Sequence, residues 1–93
     1  MRKAIVGTRR SITDIVLEIL SVCHYGGAGR TAIMYRCNLS HDQVVRYLTS
    51  LSEGGFIREN TNGTFAITDK GEGARKHLEA VQDILNELRD EWR

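Results

Sequence analysis

The sequence of 93 residues has no proline, so no residue in it breaks a helix by removing a backbone donor. It also has only two cysteines, and 6% of its residues are aromatic. No apolar run approaches the roughly 20 residues that are needed to span a bilayer. The apolar stretch near the amino terminus is too short for a secretory signal. These absences predict a cytoplasmic chain without a membrane segment, in a compartment where thiols stay reduced.

Patterns that carry catalysis or hold a cofactor are also missing. No nucleophile lies in a recognisable pattern with a base and an orienting partner, which argues against an enzyme. Cys23, His24, Cys37 and His41 match no zinc-binding spacing, so we expect core cysteines and no metal. The glycine-rich segment 26–31 lacks the lysine of a phosphate-binding loop and is interpreted as a helix stop. The sequence gives no sign of a cofactor or a small-molecule ligand.

Charge is divided unevenly along the chain, although the net charge is only +1. Residues 1–68 carry eight basic and five acidic side chains, a net +3, whereas residues 69–93 carry five basic and seven acidic ones, a net −2. Such a division is typical of a body that meets a polyanion and a tail with another task. Residues 1–10 are expected to form a basic arm, with a merely solubilising terminus as the alternative.

Helix caps and apolar spacing predict three helices in the first half of the chain. The predicted N-caps are Ser11, Thr31 and Ser40, and the first and last form capping boxes with Asp14 and Gln43. Glycines follow the first and third helices and end them. The second and third helices are too short to be stable alone, so they must pack on the first.

The pattern then changes from helix to strand. Residues 56–59 and 64–68 are short strand-like segments on either side of an Asn-Gly pair, the strongest short signal for a hairpin turn. Thr68 is expected to cap a last helix. The predicted fold is therefore mostly α with a small β-hairpin: a winged helix-turn-helix over residues 11–68, followed by a long C-terminal coiled-coil helix over residues 69–93.

The third helix has a polar face that stays open when its apolar face packs on the first helix. The residues on this face are His41, Gln43, Arg46, Thr49 and Ser50. A helix fits the major groove of B-form DNA, and all five side chains can donate or accept hydrogen bonds there. Arg46 is the best base reader because arginine can bind guanine through two hydrogen bonds, and Gln43 can pair with adenine. The alternative is a merely solvated face.

Further DNA contacts are predicted around this helix. Ser40 and Thr31 stand at helix starts, where free amides favour a phosphate. Arg58 is the one cation in the wing strands. The other cations predicted to contact the DNA backbone are Arg30, Arg36, Arg9 and Arg10.

The last helix carries an apolar seam of its own. The seam residues are spaced four, three, four, three and four apart: Ala74, Leu78, Val81, Leu85, Leu88 and Trp92. This spacing is a heptad pattern of a and d positions, and it extends over about 27 Å. One winged domain cannot cover such a stripe, which predicts a homodimer joined through this helix. The alternative is a helix folded back on its own domain.

The stretch Thr31–Ser40 resembles the Thr-x-Ile-Met-Tyr-x-x-Asn-Leu-Ser signature of small archaeal winged-helix proteins. These are the ten-a type chromatin-associated DNA-binding proteins and the related ArnR-like regulators. The likeness covers roughly residues 12–90, and Arg46 falls where the signature also has arginine. It implies a winged-helix fold, double-stranded DNA binding, and dimers joined by an antiparallel coiled coil of the last helix. The Gly54-Gly55 pair, the short acidic last helix and the lack of a lysine-rich start favour a regulator over an abundant chromatin protein.

These features together predict a homodimeric transcription regulator that binds double-stranded DNA at the nucleoid, with residues 41–53 in the major groove. Two other functions remain open. One is a sequence-nonspecific architectural chromatin protein, and the other is a winged-helix protein-interaction module that binds no DNA.

Overall fold

The computed structural model describes residues 10–91, and side chains through Arg89. The elements in chain order are α1 (Ile12–His24), β1 (Ala28–Gly29), α2 (Arg30–Arg36), α3 (His41–Glu53), β2 (Ile57–Glu59), β3 (Thr64–Ile67) and α4 (Asp69–Glu91). This order confirms the predicted mostly α fold with its wing and long C-terminal helix. Arg9 and the rest of residues 1–9 of the predicted arm, and Trp92 of the predicted seam, lie outside the described residues.

The small sheet has three antiparallel strands in the order β1–β3–β2, where the sequence predicted only the hairpin of β2 and β3. The additional strand β1 pairs Ala28 with Phe65 and Gly29 with Thr64. Gly27 makes this pairing possible, since it has φ +77° and a Cβ there would lie 2.5 Å from the carbonyl oxygen of Phe65. The glycine-rich segment therefore ends α1 as predicted and then also forms an edge strand.

The core lies where the first three helices meet the sheet. Ile19 and Leu20 of α1, Ile33 of α2 and Val44 of α3 are fully buried. Burial of each such side chain adds about 1.5–3 kcal/mol to the free energy of unfolding, because apolar surface is removed from water. The helices α2 and α3, which are short on their own, are held in place by this shared burial.

Both cysteines belong to this core, as the sequence predicted. Cys23 and Cys37 are buried free thiols. Burial raises the pKa of each thiol to about 11, because a thiolate is poorly solvated there. No group of three or more histidine, cysteine, aspartate or glutamate side chains within residues 10–91 is arranged to hold a metal ion.

The predicted helix caps at Ser11 and Ser40 are confirmed. The Ser11 hydroxyl accepts from the Asp14 amide at 3.1 Å, and the Asp14 carboxylate accepts from the Ser11 amide at 3.2 Å. Ser40 and Gln43 form the same reciprocal pair at the start of α3, at 3.1 and 2.9 Å. These boxes satisfy amide donors that a helix start leaves without partners.

The predicted cap at Thr31 is wrong. Helix α2 begins one residue earlier, at Arg30, with Gly29 as its N-cap and no side-chain cap. Gly29 is extended because it is still paired in β1, so the strand runs directly into the helix. Thr31 therefore lies inside the first turn.

The start of α4 is fixed to the end of α3. The Thr68 hydroxyl accepts from the Gly71 amide at 3.1 Å, which confirms the predicted cap, and donates to the Gly55 carbonyl at 2.6 Å. The Lys70 ammonium donates to the Gly54 carbonyl at 2.8 Å. The Gly54-Gly55 turn thus offers the carbonyls that hold the two helices together.

Helix α4 then runs back along α1 in the opposite direction. Its first turn meets the end of α1, where Glu72 pairs with His24, and Gln82 donates to Asp14 near the start of α1. Arg75 is buried between Glu72 and Glu79, at 3.1 Å from each carboxylate. Among the described helices, none is both long and apolar enough to cross a membrane.

Candidate nucleic-acid interface

Helix α3 is clamped along one side and open along the other. Val44, Leu48 and Leu51 are buried against the core, and Tyr47 is partly buried beside them. This is the apolar stripe that the sequence predicted. Because these residues face inward, the opposite side of α3 faces solvent.

Four of the five predicted groove-facing residues are on the open side. His41, Arg46, Thr49 and Ser50 are all exposed. None of the ion pairs found among the described residues involves Arg46. Arg46 is therefore an unpaired cation in the middle of an exposed helix face.

Gln43 differs from the other four because its side chain already has a partner. It is half-buried, and its Oε1 accepts from the Ser40 amide at 2.9 Å. Pairing with adenine needs the amide oxygen and the amide nitrogen together. The same oxygen would have to serve both the helix cap and the adenine, so the cap restrains how Gln43 can meet a base.

The cations and hydroxyls of α2 and the start of α3 that were predicted to contact DNA are exposed. Arg30, Thr31 and Arg36 are exposed on α2, and Ser40 is exposed at the start of α3. Tyr35, which belongs to the signature motif, is 75% exposed on α2. The surface of α2 therefore presents two cations, Arg30 and Arg36, and two hydroxyls, those of Thr31 and Tyr35, to solvent.

Arg10 has a role inside the fold that the sequence did not reveal. Its guanidinium pairs with the Glu18 carboxylate of α1 and donates to the Asn38 carbonyl at 2.9 Å. Asn38 lies in the turn between α2 and α3 and has a positive φ of 55°. Arg10 thus links α1 to the turn that sets the start of α3. The sequence had predicted that Arg10 contacts a DNA phosphate.

The wing, residues 57–67, carries little positive charge, with Arg58 as its one cation. Its turn spans residues 60–63, where the Asn62 side chain accepts from the Thr64 amide at 3.1 Å. Arg58 is exposed on β2. A cleft between α3 and the sheet contains two carboxylates, Glu53 and Glu59, together with Arg30. Sequence reasoning missed this acidic pair because the two residues come together only in the fold.

The predicted seam of α4 divides into two parts. Ala74 and Leu78 are partly buried against the core of their own chain. The next seam residues remain exposed, as does Ile84 beside them: Val81 (44%), Ile84 (56%), Leu85 (46%) and Leu88 (49%). The stripe is covered by its own domain only as far as Leu78.

Comparison with known proteins agrees with this arrangement. A family model described as winged helix-turn-helix matches residues 9–87. The chain belongs to the winged helix-turn-helix family. This winged-helix chain is also 31% identical over 78 residues to a Methanocaldococcus jannaschii protein of uncharacterized function, a match that covers 84% of this chain and 79% of the relative.

Two solved structures have folds similar to that of this winged-helix chain. It is similar to Sso10a-2, a DNA-binding protein from Sulfolobus solfataricus, with a TM-score of 0.76, 26% identity and 87% coverage of both chains. It is also similar to the multiple antibiotic-resistance repressor (MarR) of Listeria monocytogenes, with a TM-score of 0.66, 14% identity and coverage of 95% of this chain and 64% of the repressor. At that lower identity the second likeness concerns the fold alone.

Proposed function

We propose that this chain is a transcription regulator that binds double-stranded DNA as a homodimer and inserts α3 into the major groove. The observation that carries the proposal is the open face of α3, with Arg46 unpaired at its centre and the opposite side held by the core. A helix held in this way presents a fixed set of donors to base edges. The family membership and the likeness to Sso10a-2 support the same function.

Within the groove, Arg46 is the proposed base reader. His41, Thr49 and Ser50 extend the contact along the same face. Gln43 contacts DNA mainly through its side-chain nitrogen, because its oxygen is held in the cap of α3.

The proposed backbone contacts come from the flanks of α3. Phosphate oxygens accept from cations and from hydroxyls at these exposed positions, which fixes the register of the protein on the duplex. The residues are Arg30, Thr31, Arg36, Ser40 and Arg58. Arg10 acts indirectly by holding the turn before α3, and Arg9 of the arm is retained as a proposed phosphate contact.

The proposed dimer forms through the distal part of α4. Val81, Ile84, Leu85 and Leu88 make an apolar face that the described residues leave uncovered, and a second copy of the same face would bury it. Ala74 and Leu78 belong to the proximal part of the seam and support the helix from their own domain. An antiparallel arrangement is proposed from the resemblance to the archaeal family.

The deciding experiment is selection of bound sequences from a random duplex pool by the full chain. Enrichment of an inverted repeat supports a dimeric regulator and gives the half-site spacing. Binding without any enriched sequence points instead to an architectural chromatin protein. No mobility shift even at low salt, where phosphate contacts are strongest, points to a protein-interaction module.

The same proposal places the chain in the cytoplasm at the nucleoid and assigns it no catalytic role. Its affinity for DNA should fall steeply with added salt, because each phosphate contact releases counterions from the duplex.

A further inference from the structure

A groove between α1 and α3 has the size of a small-molecule site. Its volume is about 480 Å³, and it is lined by Ile12, Val16, Arg46, Tyr47, Ser50 and Leu51. Sites for small organic ligands typically have volumes of about 300–1,000 Å³ with mostly apolar walls and a few polar groups. The groove has this composition, since four of its six lining residues present aliphatic or aromatic surface.

The outer wall of the groove is an apolar side chain that the fold does not use. Ile12 is the first residue of α1 and is 70% exposed. The cap of α1 depends on Ser11 and Asp14, so it does not need an apolar residue at this position. Covering Ile12 with an apolar ligand would remove this surface from water.

The charge of the groove selects one class of ligand. Among its lining residues, all of which lie in the described part of the chain, Arg46 is the only charged one and no carboxylate is present. Tyr47 and Ser50 add hydroxyl groups to the same wall. The Arg46 guanidinium has no ion-pair partner among residues 10–89, and such a group is complementary to a carboxylate or a sulfonate.

We propose that the groove binds an amphiphilic organic anion, whose apolar body lies between Ile12 and Tyr47 and whose acidic group pairs with Arg46. Bound ligand and DNA would then exclude one another, because both need the Arg46 guanidinium. The exclusion rests on the proposed function, whereas ligand binding itself does not. The groove would make DNA binding responsive to an organic acid.

Two dyes that differ only in charge test the ligand class. Anilinonaphthalene sulfonate has an aromatic body and one anionic group, and N-phenylnaphthylamine is the same body without the sulfonate. Fluorescence titration of the full chain should show the sulfonate dye binding at least about tenfold more tightly, since a hydrogen bond to a charged group is among the stronger ones. Equal affinity for the two dyes would overturn the proposal.

Variants then locate the site. Ile12→Asp should weaken binding of the sulfonate dye at least about tenfold, yet it should fold normally because an acidic residue is favoured in the first turn of a helix. Arg46→Met should reduce binding of the sulfonate dye to the level of the uncharged dye. Asn86→Asp, which adds the same charge at an exposed position of α4 outside the apolar seam, is the control and should leave dye binding unchanged. If Ile12→Asp binds the sulfonate dye as tightly as the native chain does, the dye occupies another site and the proposal is wrong.

The last arm measures competition with DNA. The sulfonate dye should raise the apparent Kd of the native chain for duplex in proportion to the dye concentration, and duplex should displace the dye in the same way. Ile12→Asp should still bind duplex, but the dye should no longer weaken that binding.

Simultaneous binding of dye and duplex to one chain would overturn the proposed exclusion. Dye binding that disappears as the chain dimerises would show that a second copy occupies the groove instead. If the native chain binds no duplex at all, the proposed function fails while the dye titrations still decide the site.

Discussion

The guanidinium of Arg10 donates a hydrogen bond to the backbone carbonyl of Asn38, 28 positions later in the chain, at 2.9 Å. Asn38 has a left-handed backbone conformation and forms the turn before α3. The same guanidinium pairs with Glu18 of α1. One side chain therefore holds the first helix against the turn that sets the start of α3, the helix proposed to bind DNA.

Replacing Arg10 should destabilise the fold more than replacing an exposed arginine. Arg10→Met removes the contacts with Glu18 and Asn38 and should lower the free energy of unfolding by about 1 kcal/mol, because both contacts are partly exposed to water. Urea denaturation measures the change. Arg36→Met is the matched control and should alter stability by no more than about 0.5 kcal/mol. Equal effects of the two changes would refute the role given to Arg10.

Arg46 and Arg36 should affect DNA binding in different ways. Arg46→Met should cost about 1–3 kcal/mol of affinity and relax the preference at one base position. Arg36→Met should weaken binding to all sequences alike and reduce the salt slope by about one. Binding curves on a set of single-base variants of the selected site, at several salt concentrations, distinguish the two. A uniform loss for Arg46→Met would mean that Arg46 contacts only phosphate.

Two glycines in the same turn of α4 should tolerate alanine very differently. A Cβ at Gly71 would lie 2.0 Å from the Phe56 carbonyl oxygen, so Gly71→Ala must push α4 away from Phe56. We expect a loss of about 2 kcal/mol or more in the free energy of unfolding. A Cβ at Gly73 would have no neighbour within 4 Å, so Gly73→Ala should stabilise the helix by up to about 1 kcal/mol. Thermal unfolding of both variants tests the packing of α4 on the wing.

The Glu72 carboxylate should make stability depend on pH in the acid range. Hydrogen bonding to His24 is the main reason why the pKa of Glu72 lies below its ordinary value of 4.5, and Arg75 adds to the effect. A lowered pKa in the folded state stabilises the fold above pH 4.5, and the contribution is lost as the pH falls through the lowered pKa. Glu72→Gln should therefore be less stable than the native chain near neutral pH, and the difference should shrink on acidification. A difference that stays constant with pH would show that Glu72 acts only through packing.

The exposed face of α4 should control dimer formation. Leu85→Asp should weaken the dimer by at least about tenfold, because each subunit loses a leucine from the contact and gains a charge. Asn86→Asp adds the same charge one position away from the seam and is the control. Sedimentation equilibrium across a range of concentrations measures both. A native chain that sediments as a monomer at all of them would contradict the proposed dimer directly.

Local signals in the sequence predicted more of the fold than of the site. The caps at Ser11 and Ser40 and the hairpin turn depend on neighbours within four residues, so the sequence contains all that is needed to recognise them. Thr31 failed as a cap because β1 continues to Gly29, and that strand exists only through its pairing with β3. A two-residue strand is too short to leave a periodic pattern.

The tertiary contacts of the site could not be predicted in the same way. Arg10 and Asn38 are far apart in the chain, so the sequence showed only a cation near the terminus. Glu53 and Glu59 converge beside Arg30 through the packing of α3 on the sheet. The exposed face of α3 was predictable because helical periodicity alone separates Arg46 from Val44 and Leu48.

Helix α4 runs without interruption from the edge of the wing to the end of its exposed apolar face. In the proposed dimer, this rod sets both the separation and the relative rotation of the two winged domains. Each residue added to it would lengthen the rod by about 1.5 Å and turn one domain by about 100°. The number of residues between the wing and the seam would therefore determine which operator spacings a dimer can bridge, independently of any contact with a base.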